Sequence, residues 1–455
     1  MNIIVIATDS LRADHLGCYG GAVKTPNIDK FAEEAAVFEQ AYSENLPTLP
    51  CRTAWWTGRY LFSKRGWQPF ESSDYLLAEI LWNRQYTSAL ITDTYHMHKP
   101  VYNCGRGFDT VVWIRGQEYD PWVVDERINV DLEKFHRLRG DETDSRWKPL
   151  FTQYLRNATR FKSEEDHCTA RVITECIHWL ERITKKQKDR LLLWVDCFDP
   201  HEPWDPPSPY REMYDPDYRG HEIIDPVPGP VEGYMTEDEL RHTHALYAGN
   251  ITFVDKWIGL LLDCIKDLGL YDNSLIMFTS DHGEPFGEHG IIRKARPWLY
   301  EELVRIPWLI RHPEGLGEGQ RFSCFVQPPD LLPTILDALN IQTQPIPPSP
   351  YALSYIPGFE SREQTEKLQF TGRSLLPVLS GEKKDIRDFV VSGYHGKQWA
   401  IRTNQWTYLY NLDGAKPELY DRKNDPQEKN DIWDTNKQIG AELEERLKRF
   451  ADRLD

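Results

Sequence analysis

Short apolar runs alternate with longer segments of helical periodicity through the first three quarters of the chain. The runs have the length and composition of buried strands and occupy residues 3–7, 86–93, 191–195, 274–279 and 305–310. A capping box formed by Thr236 and Glu239 predicts one long intervening helix, which ends near Gly269. This alternation indicates an α/β fold, with a mainly parallel sheet sandwiched by helices.

Helices are also predicted at residues 171–183 and 330–339, where apolar side chains allow one buried face. Pro26 stands near the first turn of a further helix, with Phe31, Ala35 and Phe38 at helical spacing. Residues 113–164 are polar and irregular, which is typical of an inserted cap or of peripheral helices.

The pattern changes in the last part of the chain. Alternating apolar positions predict antiparallel strands, followed by an amphipathic helix, at residues 389–391, 399–402, 407–410 and 439–450. We therefore predict a large domain over residues 1–385 and a smaller C-terminal antiparallel α+β subdomain over residues 386–455. The Pro- and Ser-rich stretch 342–369 predicts a loop excursion that either covers a cleft or mediates oligomer contacts.

Composition restricts the possible partners and the compartment. A chain of 455 residues can bury a large core, and its net charge of −17 argues against non-specific binding to nucleic acid or to anionic membranes. No apolar stretch is long enough to span a bilayer, and Met1-Asn2 leads directly into a strand, which predicts a cytoplasmic protein without a signal peptide. The eight cysteines form no CxxC pair, so we expect reduced thiols instead of a zinc ribbon.

Chemically active side chains follow four of the predicted strands. Asp9, His96, His201 and the pair Asp281-His282 lie just beyond apolar runs, and ligands of open α/β sheets collect where parallel strands end. Carboxylates with an imidazole are a suitable donor set for one divalent cation, such as Mg²⁺, Ca²⁺ or Mn²⁺. Taken singly, a capping role for Asp281 or a loop position for His201 is the simpler interpretation, but their occurrence together favours a site.

The polar segment at residues 45–59 offers a nucleophile. Thr48 stands where a helix is predicted to begin, and the positive end of a helix attracts anions. As a fourth metal ligand, Thr48 would lose its proton more readily and become nucleophilic. Arg52 and Lys294 are candidates to hold the substrate's anionic oxygens, and His201 is a candidate to protonate or hydrogen-bond the leaving oxygen. The ordinary alternative for Lys294 is a surface lysine.

Several short motifs occur in a fixed order along the chain. They are Asp9-Ser10-Leu11-Arg12, Gly17-Cys18-Tyr19-Gly20, Thr25-Pro26-Asn27-Ile28-Asp29, Pro50-Cys51-Arg52, Thr57-Gly58-Arg59, Asp199-Pro200-His201, Ser280-Asp281-His282-Gly283, Gly287-Glu288-His289-Gly290 and Leu419-Tyr420-Asp421 with Asn424-Asp425-Pro426. In this combination the chain resembles the sulfatases of the alkaline phosphatase superfamily over almost its whole length. The resemblance implies that the large domain is catalytic and that Asp9, Asp281 and His282 bind the metal. It also implies that Arg52, His96, His201 and Lys294 surround the transferred group.

Departures from the sulfatase pattern concern the nucleophile. In sulfatases the residue matching Thr48 is a Cys or Ser that is oxidised to formylglycine, whereas oxidation of a threonine stops at a ketone. Cys51 is no substitute, because Pro and Arg do not follow it at the required spacing, and we interpret it as a packed small residue. Ser10 stands where many sulfatases have a second metal-binding Asp, and Thr94 stands where they have a Lys.

The resemblance therefore implies a phosphate diester or phosphonate monoester hydrolase, since a direct threonine nucleophile is similar to that of phosphodiesterases and phosphonate-processing members of the superfamily. Thr48 would form a transient phosphothreonine with the help of one metal ion. Two alternatives stay open: a sulfatase that acts without formylglycine, and a non-catalytic relative that binds anions. The expected partner is a small-molecule phosphate, phosphonate or sulfate ester, and a homo-oligomer is possible.

The leaving group is not specified by the motifs. Trp55, Trp56, Trp113 and Trp204 are candidates to line an aromatic pocket, but core packing is the more ordinary role for such residues. Asp199 and His289, which a second metal site would need, are interpreted as scaffolding, so we expect a single ion.

Overall fold

The computed structural model describes residues 1–296, 298–341 and 370–454, so the predicted loop excursion at 342–369 lies outside the described residues. The strands in chain order are β1 (Asn2–Thr8), β2 (Ala36–Tyr42), β3 (Asn45–Leu46), β4 (Thr87–Thr92), β5 (Thr110–Trp113), β6 (Leu191–Cys197), β7 (Gly229–Pro230), β8 (Ser274–Ser280), β9 (Ile291–Ile292), β10 (Arg305–Ile306), β11 (Trp308–Arg311), β12 (Arg321–Val326), β13 (Val390–Tyr394), β14 (Gln398–Arg402), β15 (Trp406–Asn411) and β16 (Glu418–Asp421). The helices are α1 (Pro26–Glu33), α2 (Thr48–Thr57), α3 (Leu77–Trp82), α4 (Leu132–Phe135), α5 (Asp144–Ala158), α6 (Cys168–Ile183), α7 (Glu237–Asp267), α8 (Glu301–Val304), α9 (Leu331–Ala338), α10 (Leu376–Leu379) and α11 (Lys437–Asp452).

A nine-stranded sheet forms the centre of the protein, in the order β10-β2-β11-β8-β1-β6-β4-β5, with β12 paired to β2. The strands β8, β1, β6, β4 and β5 run parallel, and Ile4 of β1 lies between Ile276 of β8 and Leu193 of β6. Every residue of β1, β6 and β8 is buried, as parallel strands covered on both faces require. The predicted α/β class is confirmed.

Different helices cover the two faces of this sheet. Ile4 and Ile6 pack with α1, α6 and α7 on one face, whereas Ile3 and Val5 pack with α2, α3 and α9 on the other. Successive side chains of a strand point to opposite faces, which explains why both sets in β1 are apolar. Within the described ranges, no helix combines the length and apolar character that crossing a membrane requires.

The predicted capping box begins the longest helix. The backbone N–H of Glu239 donates to Thr236 Oγ1 at 3.2 Å, and the backbone N–H of Thr236 donates to Glu239 Oε2 at 2.9 Å. The two bonds satisfy N–H groups that would otherwise be unpaired at the start of α7. This helix ends at Asp267, close to the predicted end at Gly269.

Two element predictions are wrong. The helix that opens at Pro26 ends at Glu33, and Phe38 lies in β2. Pairing with β11 on one side and β12 on the other holds Phe38 in a strand, and this tertiary context overrides a helical spacing of a few residues. The strand predicted at 305–310 is divided into β10 and β11 at Pro307, which has no N–H to donate.

A smaller sheet follows the order β16-β15-β14-β13-β3. Its strands β13 to β16 are antiparallel, and α11 packs on them through Leu443 and Leu447, as the pattern predicted. The fifth strand, β3, comes from the segment just before Thr48 and runs parallel to β13, with Asn45 opposite Gly393. The domain boundary near residue 385 stays a prediction.

Glu44 fixes the segment that leads into β3. Its buried Oε1 accepts the backbone N–H groups of Leu61 and Phe62 at 2.5 and 2.7 Å, and its carbonyl oxygen accepts the N–H of Gly393 at 2.9 Å. Burial raises the pKa of Glu44 to about 8, against the effect of the two backbone donors. The folded state therefore retains a proton on Glu44 over a pH range in which the unfolded chain has released it.

This difference predicts a stability effect with a definite sign. Between pH 5 and 8 the proton on Glu44 is bound in the folded state only, so the stability that it contributes is lost as pH rises, by at most about 1.4 kcal/mol per pH unit. Glu44→Gln removes this dependence. We expect the melting temperature of Glu44→Gln minus that of wild type, both measured by calorimetry, to increase from pH 5 to pH 8. Parallel pH profiles for the two proteins would contradict the assignment.

Candidate active site

Two carboxylates and one imidazole meet where β1 and β8 end. Asp9 follows β1, and Asp281 and His282 follow β8; because the two strands are parallel neighbours, their ends are adjacent. One ligand atom from each of the three residues lies within 4.8 Å of the others, and all three residues are buried. The structure therefore brings together three of the four residues predicted to hold a metal ion.

The hydrogen bonds of His282 determine which of its nitrogens is free. Nδ1 lies 2.8 Å from the carbonyl oxygen of Gly283, which can only accept, so Nδ1 carries the proton. Nε2 then offers a lone pair, 3.8 Å from both Asp9 Oδ1 and Asp281 Oδ2. Nε2 and Asp9 Oδ2 are buried without a hydrogen-bond partner among the described residues. Buried acceptors that lack a donor, on oxygen and imidazole ligands, fit a divalent cation.

The pKa shifts of these three residues also indicate that positive charge is lacking at the cluster. Burial and the neighbouring Asp281 carboxylate raise the pKa of Asp9 well above its ordinary value. Burial acts on Asp281 in the same direction, but His282 and Arg52 lower the pKa of Asp281 below its ordinary value. Burial lowers the pKa of His282, which keeps the imidazole neutral. A cation bound here would favour the ionised form of Asp9, and a neutral imidazole beside two ionised carboxylates is the state in which such ligands bind a metal ion.

Ser10 joins the two carboxylates from a left-handed backbone conformation, with φ of 61°. Its N–H donates to Asp281 Oδ1 and its hydroxyl donates to Asp9 Oδ1, both at 3.0 Å. The hydroxyl of Tyr247 donates to the carbonyl oxygen of Ser10 at 2.7 Å. A non-glycine residue held in this region costs conformational energy, and such residues cluster at functional sites. Ser10 orients two ligands at a position where many sulfatases supply another carboxylate.

Thr48 is the first residue of α2. Gly58, directly after the last residue of this helix, adopts a left-handed backbone conformation. The carbonyl oxygen of Thr48 accepts Nη1 of Arg52 at 3.1 Å, which links the start of the helix to the carboxylate cluster. The residue is 2 % exposed, and its hydroxyl makes no hydrogen bond to any part of the chain that the structure describes. A hydroxyl without a protein partner at a helix N-terminus is available as a ligand or a nucleophile.

Arg52 is buried and holds several groups at once. Nε and Nη2 form a fork on the carboxylate of Asp196 at 3.0 and 2.7 Å. Nη1 donates to Asp281 Oδ2 at 2.8 Å as well as to Thr48, and it lies 3.3 Å from Asp9 Oδ2. In this arrangement Arg52 positions two of the candidate metal ligands and the start of α2. Its contact with substrate oxygens stays a prediction, because such a contact requires one of these bonds to open.

Asp196 is a site residue that the sequence analysis missed. Its carboxylate also accepts Thr94 Oγ1 at 2.7 Å and Trp194 Nε1 at 3.3 Å, and Thr94 accepts the remaining N–H of Arg52 at 3.3 Å. An acidic residue directly after the apolar run 191–195 is the sequence feature that could have identified it. Thr94, which replaces the lysine of sulfatases, supports the Arg52–Asp196 pair with a neutral hydroxyl.

Lys294 lies between two buried glutamates that were not predicted. Its Nζ is 2.7 Å from Glu284 Oε2, 3.2 Å from Glu202 Oε2 and 3.5 Å from Ser10 Oγ. Burial alone would lower the pKa of Lys294, but Glu202 and Glu284 raise it, so the ammonium stays charged. The contact with Ser10 puts this cation next to the carboxylate cluster. Lys294 is therefore a half-buried, ion-paired residue and not a surface lysine.

His201 is held by Glu202 as a neutral imidazole. Nδ1 lies 2.7 Å from the carbonyl oxygen of Glu202 and must donate to it, so Nε2 carries the lone pair. Burial lowers the pKa of His201 well below its ordinary value. This geometry favours a proton acceptor over the proton donor that the sequence suggested, and the catalytic role of His201 stays a prediction.

His96 borders the site through an aromatic side chain. Its ring centroid is 6.2 Å from that of Phe198, whose ring lies 4.1 Å from the ring of His201. Nε2 of His96 is 3.0 Å from Oε2 of the buried Glu118, which the sequence analysis also missed and which adopts a positive φ of 45°. No pattern around Glu118 marks it in the sequence. The catalytic role of His96 stays a prediction.

Other polar residues of the motifs support the scaffold. The carboxylate of Asp199 accepts the side chains of Gln117 and Thr169 at 2.9 and 2.6 Å, and His289 is hydrogen-bonded to Glu302 and stacked on Tyr300. Burial raises the pKa of the Cys51 thiol well above its ordinary value, so it is not a reactive thiolate. The expectation of a single metal ion stays a prediction.

Known proteins match the chain along most of its length. The family model described as Sulfatase matches residues 1–341. The arylsulfatase of Clostridium perfringens is 27 % identical over 486 residues, which cover 99 % of this chain and 96 % of that protein. Among solved structures, the phosphonate monoester hydrolase of Agrobacterium radiobacter gives a TM-score of 0.76 at 21 % identity. The match covers 100 % of this chain and 96 % of the chain of that hydrolase. The phosphonate monoester hydrolase from Silicibacter pomeroyi gives a TM-score of 0.73 at 22 % identity, and the match covers 99 % of this chain and 94 % of the chain of that hydrolase.

These matches agree with the motifs and with the geometry of the sheet edge. The likeness to the two solved hydrolases concerns the fold. The family model spans the strands that carry Asp9 and Asp281 and the helix that begins at Thr48. The chain therefore belongs to the sulfatase family and is an ester hydrolase.

Proposed function

We propose that this enzyme hydrolyses phosphonate monoesters or phosphate diesters through a covalent intermediate on Thr48. The observation that carries the proposal is the Thr48 hydroxyl, which begins α2 without a hydrogen-bond partner in the described ranges while Arg52 holds its carbonyl oxygen. The structural likeness to two phosphonate monoester hydrolases supports the choice of substrate.

The side chain of Thr48 favours phosphorus over sulfur as the centre that is attacked. A threonine oxygen forms a phosphate or phosphonate ester that water can cleave at phosphorus. Sulfate release from a formylglycine hydrate uses a second hydroxyl on the same carbon. Thr48 has one hydroxyl, and its methyl group prevents formation of an aldehyde.

The proposed cofactor is one divalent ion, Mg²⁺, Mn²⁺ or Ca²⁺. Asp9, Asp281, His282 and Thr48 would hold it, and when bound it supplies positive charge that favours ionisation of the Thr48 hydroxyl and attracts the anionic substrate. Lys294 contributes a fixed charge for the non-bridging oxygens of the substrate.

Proton transfer in this scheme uses His201. In the first half-reaction Thr48 Oγ bonds to phosphorus, its proton passes to Nε2 of His201, and the bond from phosphorus to the leaving oxygen breaks. In the second, water attacks phosphorus and releases a proton to solvent, while Thr48 Oγ departs and recovers its proton from His201. The neutral imidazole with a lone pair on Nε2 supports this role.

A second candidate is hydrolysis of sulfate esters by a route without formylglycine. It is favoured by the match to an arylsulfatase at 27 % identity over nearly the whole chain. Both candidates use the same cation and Lys294, so relative rates on matched esters distinguish them.

Thr48→Ala removes the proposed nucleophile. We expect kcat for bis(4-nitrophenyl) phosphate and for 4-nitrophenyl phenylphosphonate to fall by at least about a thousandfold, whereas Thr48→Ser keeps a hydroxyl and residual activity. Release of 4-nitrophenol measures the rates. Mass spectrometry of acid-quenched wild-type enzyme should detect a phosphonyl adduct on the peptide that contains Thr48.

Thr53→Ala is the matched control, because Thr53 donates its hydroxyl to the carbonyl of Leu49 at 2.9 Å within the same helix. This variant should keep wild-type turnover. Wild-type rates in Thr48→Ala would contradict the assigned nucleophile. Faster hydrolysis of 4-nitrophenyl sulfate than of either phosphorus ester would favour the second candidate.

Arg52→Lys keeps the charge but replaces a planar fork of five N–H groups by three donors on a flexible chain. A lysine cannot hold Asp196, Asp281 and the Thr48 carbonyl together, so we expect kcat to fall about tenfold to a hundredfold with a smaller change in KM. Arg59→Lys is the control, since Arg59 lies at the end of the same segment with its side chain 41 % exposed. Equal kcat values for wild type and Arg52→Lys would refute the positioning role.

Divalent ions should stabilise the folded protein. In protein stripped with EDTA, addition of Mn²⁺, Mg²⁺ or Ca²⁺ is expected to raise the melting temperature, because an ion bound at 100 times its Kd adds about 2.7 kcal/mol to folding stability. Asp9→Asn and His282→Ala should abolish this rise, while His289→Gln should retain it. A rise of equal size in all three variants, or none in wild type, would exclude the cluster as the ion site.

A further inference from the structure

Trp67 differs from the tryptophans that the sequence suggested as pocket residues. Trp55, Trp56 and Trp204 are buried in the core, whereas Trp67 is 39 % exposed. Its Nε1–H donates to the hydroxyl of Tyr102 at 2.9 Å, which fixes the orientation of the indole ring. An exposed aromatic face held in one orientation can bind a planar group at low entropic cost.

The position of Trp67 connects this face to the active site. Its ring meets the ring of His96 edge-on, with centroids 4.8 Å apart and planes at 85°. His96 leads through Phe198 to His201, and it lies two residues after Thr94, which contacts Arg52 at 3.3 Å. Trp67 therefore packs on His96, from which ring contacts lead to His201.

Contacts of the two histidines indicate which leaving groups the site can release. Nδ1–H of His201 is donated to the carbonyl of Glu202 at 2.7 Å, and Nε2 of His96 is 3.0 Å from the carboxylate of Glu118. In the proposed scheme the proton that Nε2 of His201 takes from Thr48 returns to Thr48 in the second half-reaction, so it is not passed to the leaving oxygen. An aryloxide leaves without taking up a proton, whereas an alkoxide needs one.

We propose that Trp67 forms one wall of a leaving-group subsite that takes an aryl group. The proposal rests on the proposed function: when Thr48 Oγ bonds to phosphorus, the bond to the aryl oxygen breaks, the electron pair stays on that oxygen, and the aryloxide departs along the face of Trp67. Specificity for aryl over small alkyl esters follows from stacking on this face.

The test measures binding separately from turnover. In a Thr48→Ala background, the affinities of phenyl methylphosphonate and methyl methylphosphonate are measured by calorimetry with Mn²⁺ present. Adding Trp67→Ala should weaken binding of the phenyl ester about threefold to tenfold and leave the methyl ester unchanged. Trp67→Phe should retain most of the preference because it keeps a ring, and Leu260→Ala, an exposed apolar residue on α7, should change neither affinity.

With Thr48 intact, Trp67→Ala should lower the ratio of kcat/KM for the phenyl ester over the methyl ester by the same factor. Equal weakening of both esters, or no weakening of either, would overturn the subsite. So would a change in sedimentation without a change in ester affinity, which would assign Trp67 to a contact between subunits. Failure of the nucleophile assignment is distinguishable, since it would appear as turnover in Thr48→Ala and leave the binding preference intact.

Discussion

The candidate site depends on one guanidinium group that contacts three buried carboxylates. Asp196, Asp9 and Asp281 stand at the ends of β6, β1 and β8, which are consecutive strands of the sheet, and Arg52 reaches all three from α2. Breaking a buried ion pair by removing one partner costs about 3–5 kcal/mol, so the helix that carries Thr48 cannot shift without a large electrostatic penalty. The same bonds that stabilise the packing of α2 on the sheet also fix where its first hydroxyl lies.

Charge balance explains how an acidic protein handles an anionic ester. Buried carboxylates around the site outnumber the cations that pair with them. Asp9, Asp196, Asp281, Glu202, Asp225 and Glu284 are set against the buried Arg52 and Arg293 and the half-buried Lys294. Most of the positive charge is already paired, since Arg293 binds Glu202 and Asp225. A substrate anion therefore needs positive charge beyond that of Lys294, and Asp9 Oδ2 and His282 Nε2, which accept no hydrogen bond among the described residues, are where a cation fits.

Much of this arrangement could be predicted from the sequence, and what escaped prediction has physical causes. Apolar runs identify the central strands because both faces are buried, and the carboxylates that follow them mark the edge where Asp9 and Asp281 meet. Partners such as Asp196 and Glu118 were missed because their importance comes from contacts across the fold, with Arg52 and His96. Phe38 was misassigned because strand pairing overrides local spacing. Exposure, which separates Trp67 from the buried tryptophans, has no counterpart in a sequence pattern.

The parallel pairing of β3 with β13 connects the C-terminal region to the start of α2, although the two are far apart in the chain. Asn45 and Leu46 form the edge strand of a sheet whose other strands come from residues 390–421, and Thr48 lies two residues after Leu46. A protein truncated before β13 would leave the strand that precedes Thr48 as a bare edge, open to unwanted association. The segment that leads into Thr48 and the strands of residues 390–421 are consequently expected to unfold together. We expect the protein to tolerate poorly a separation or a circular permutation between these two parts.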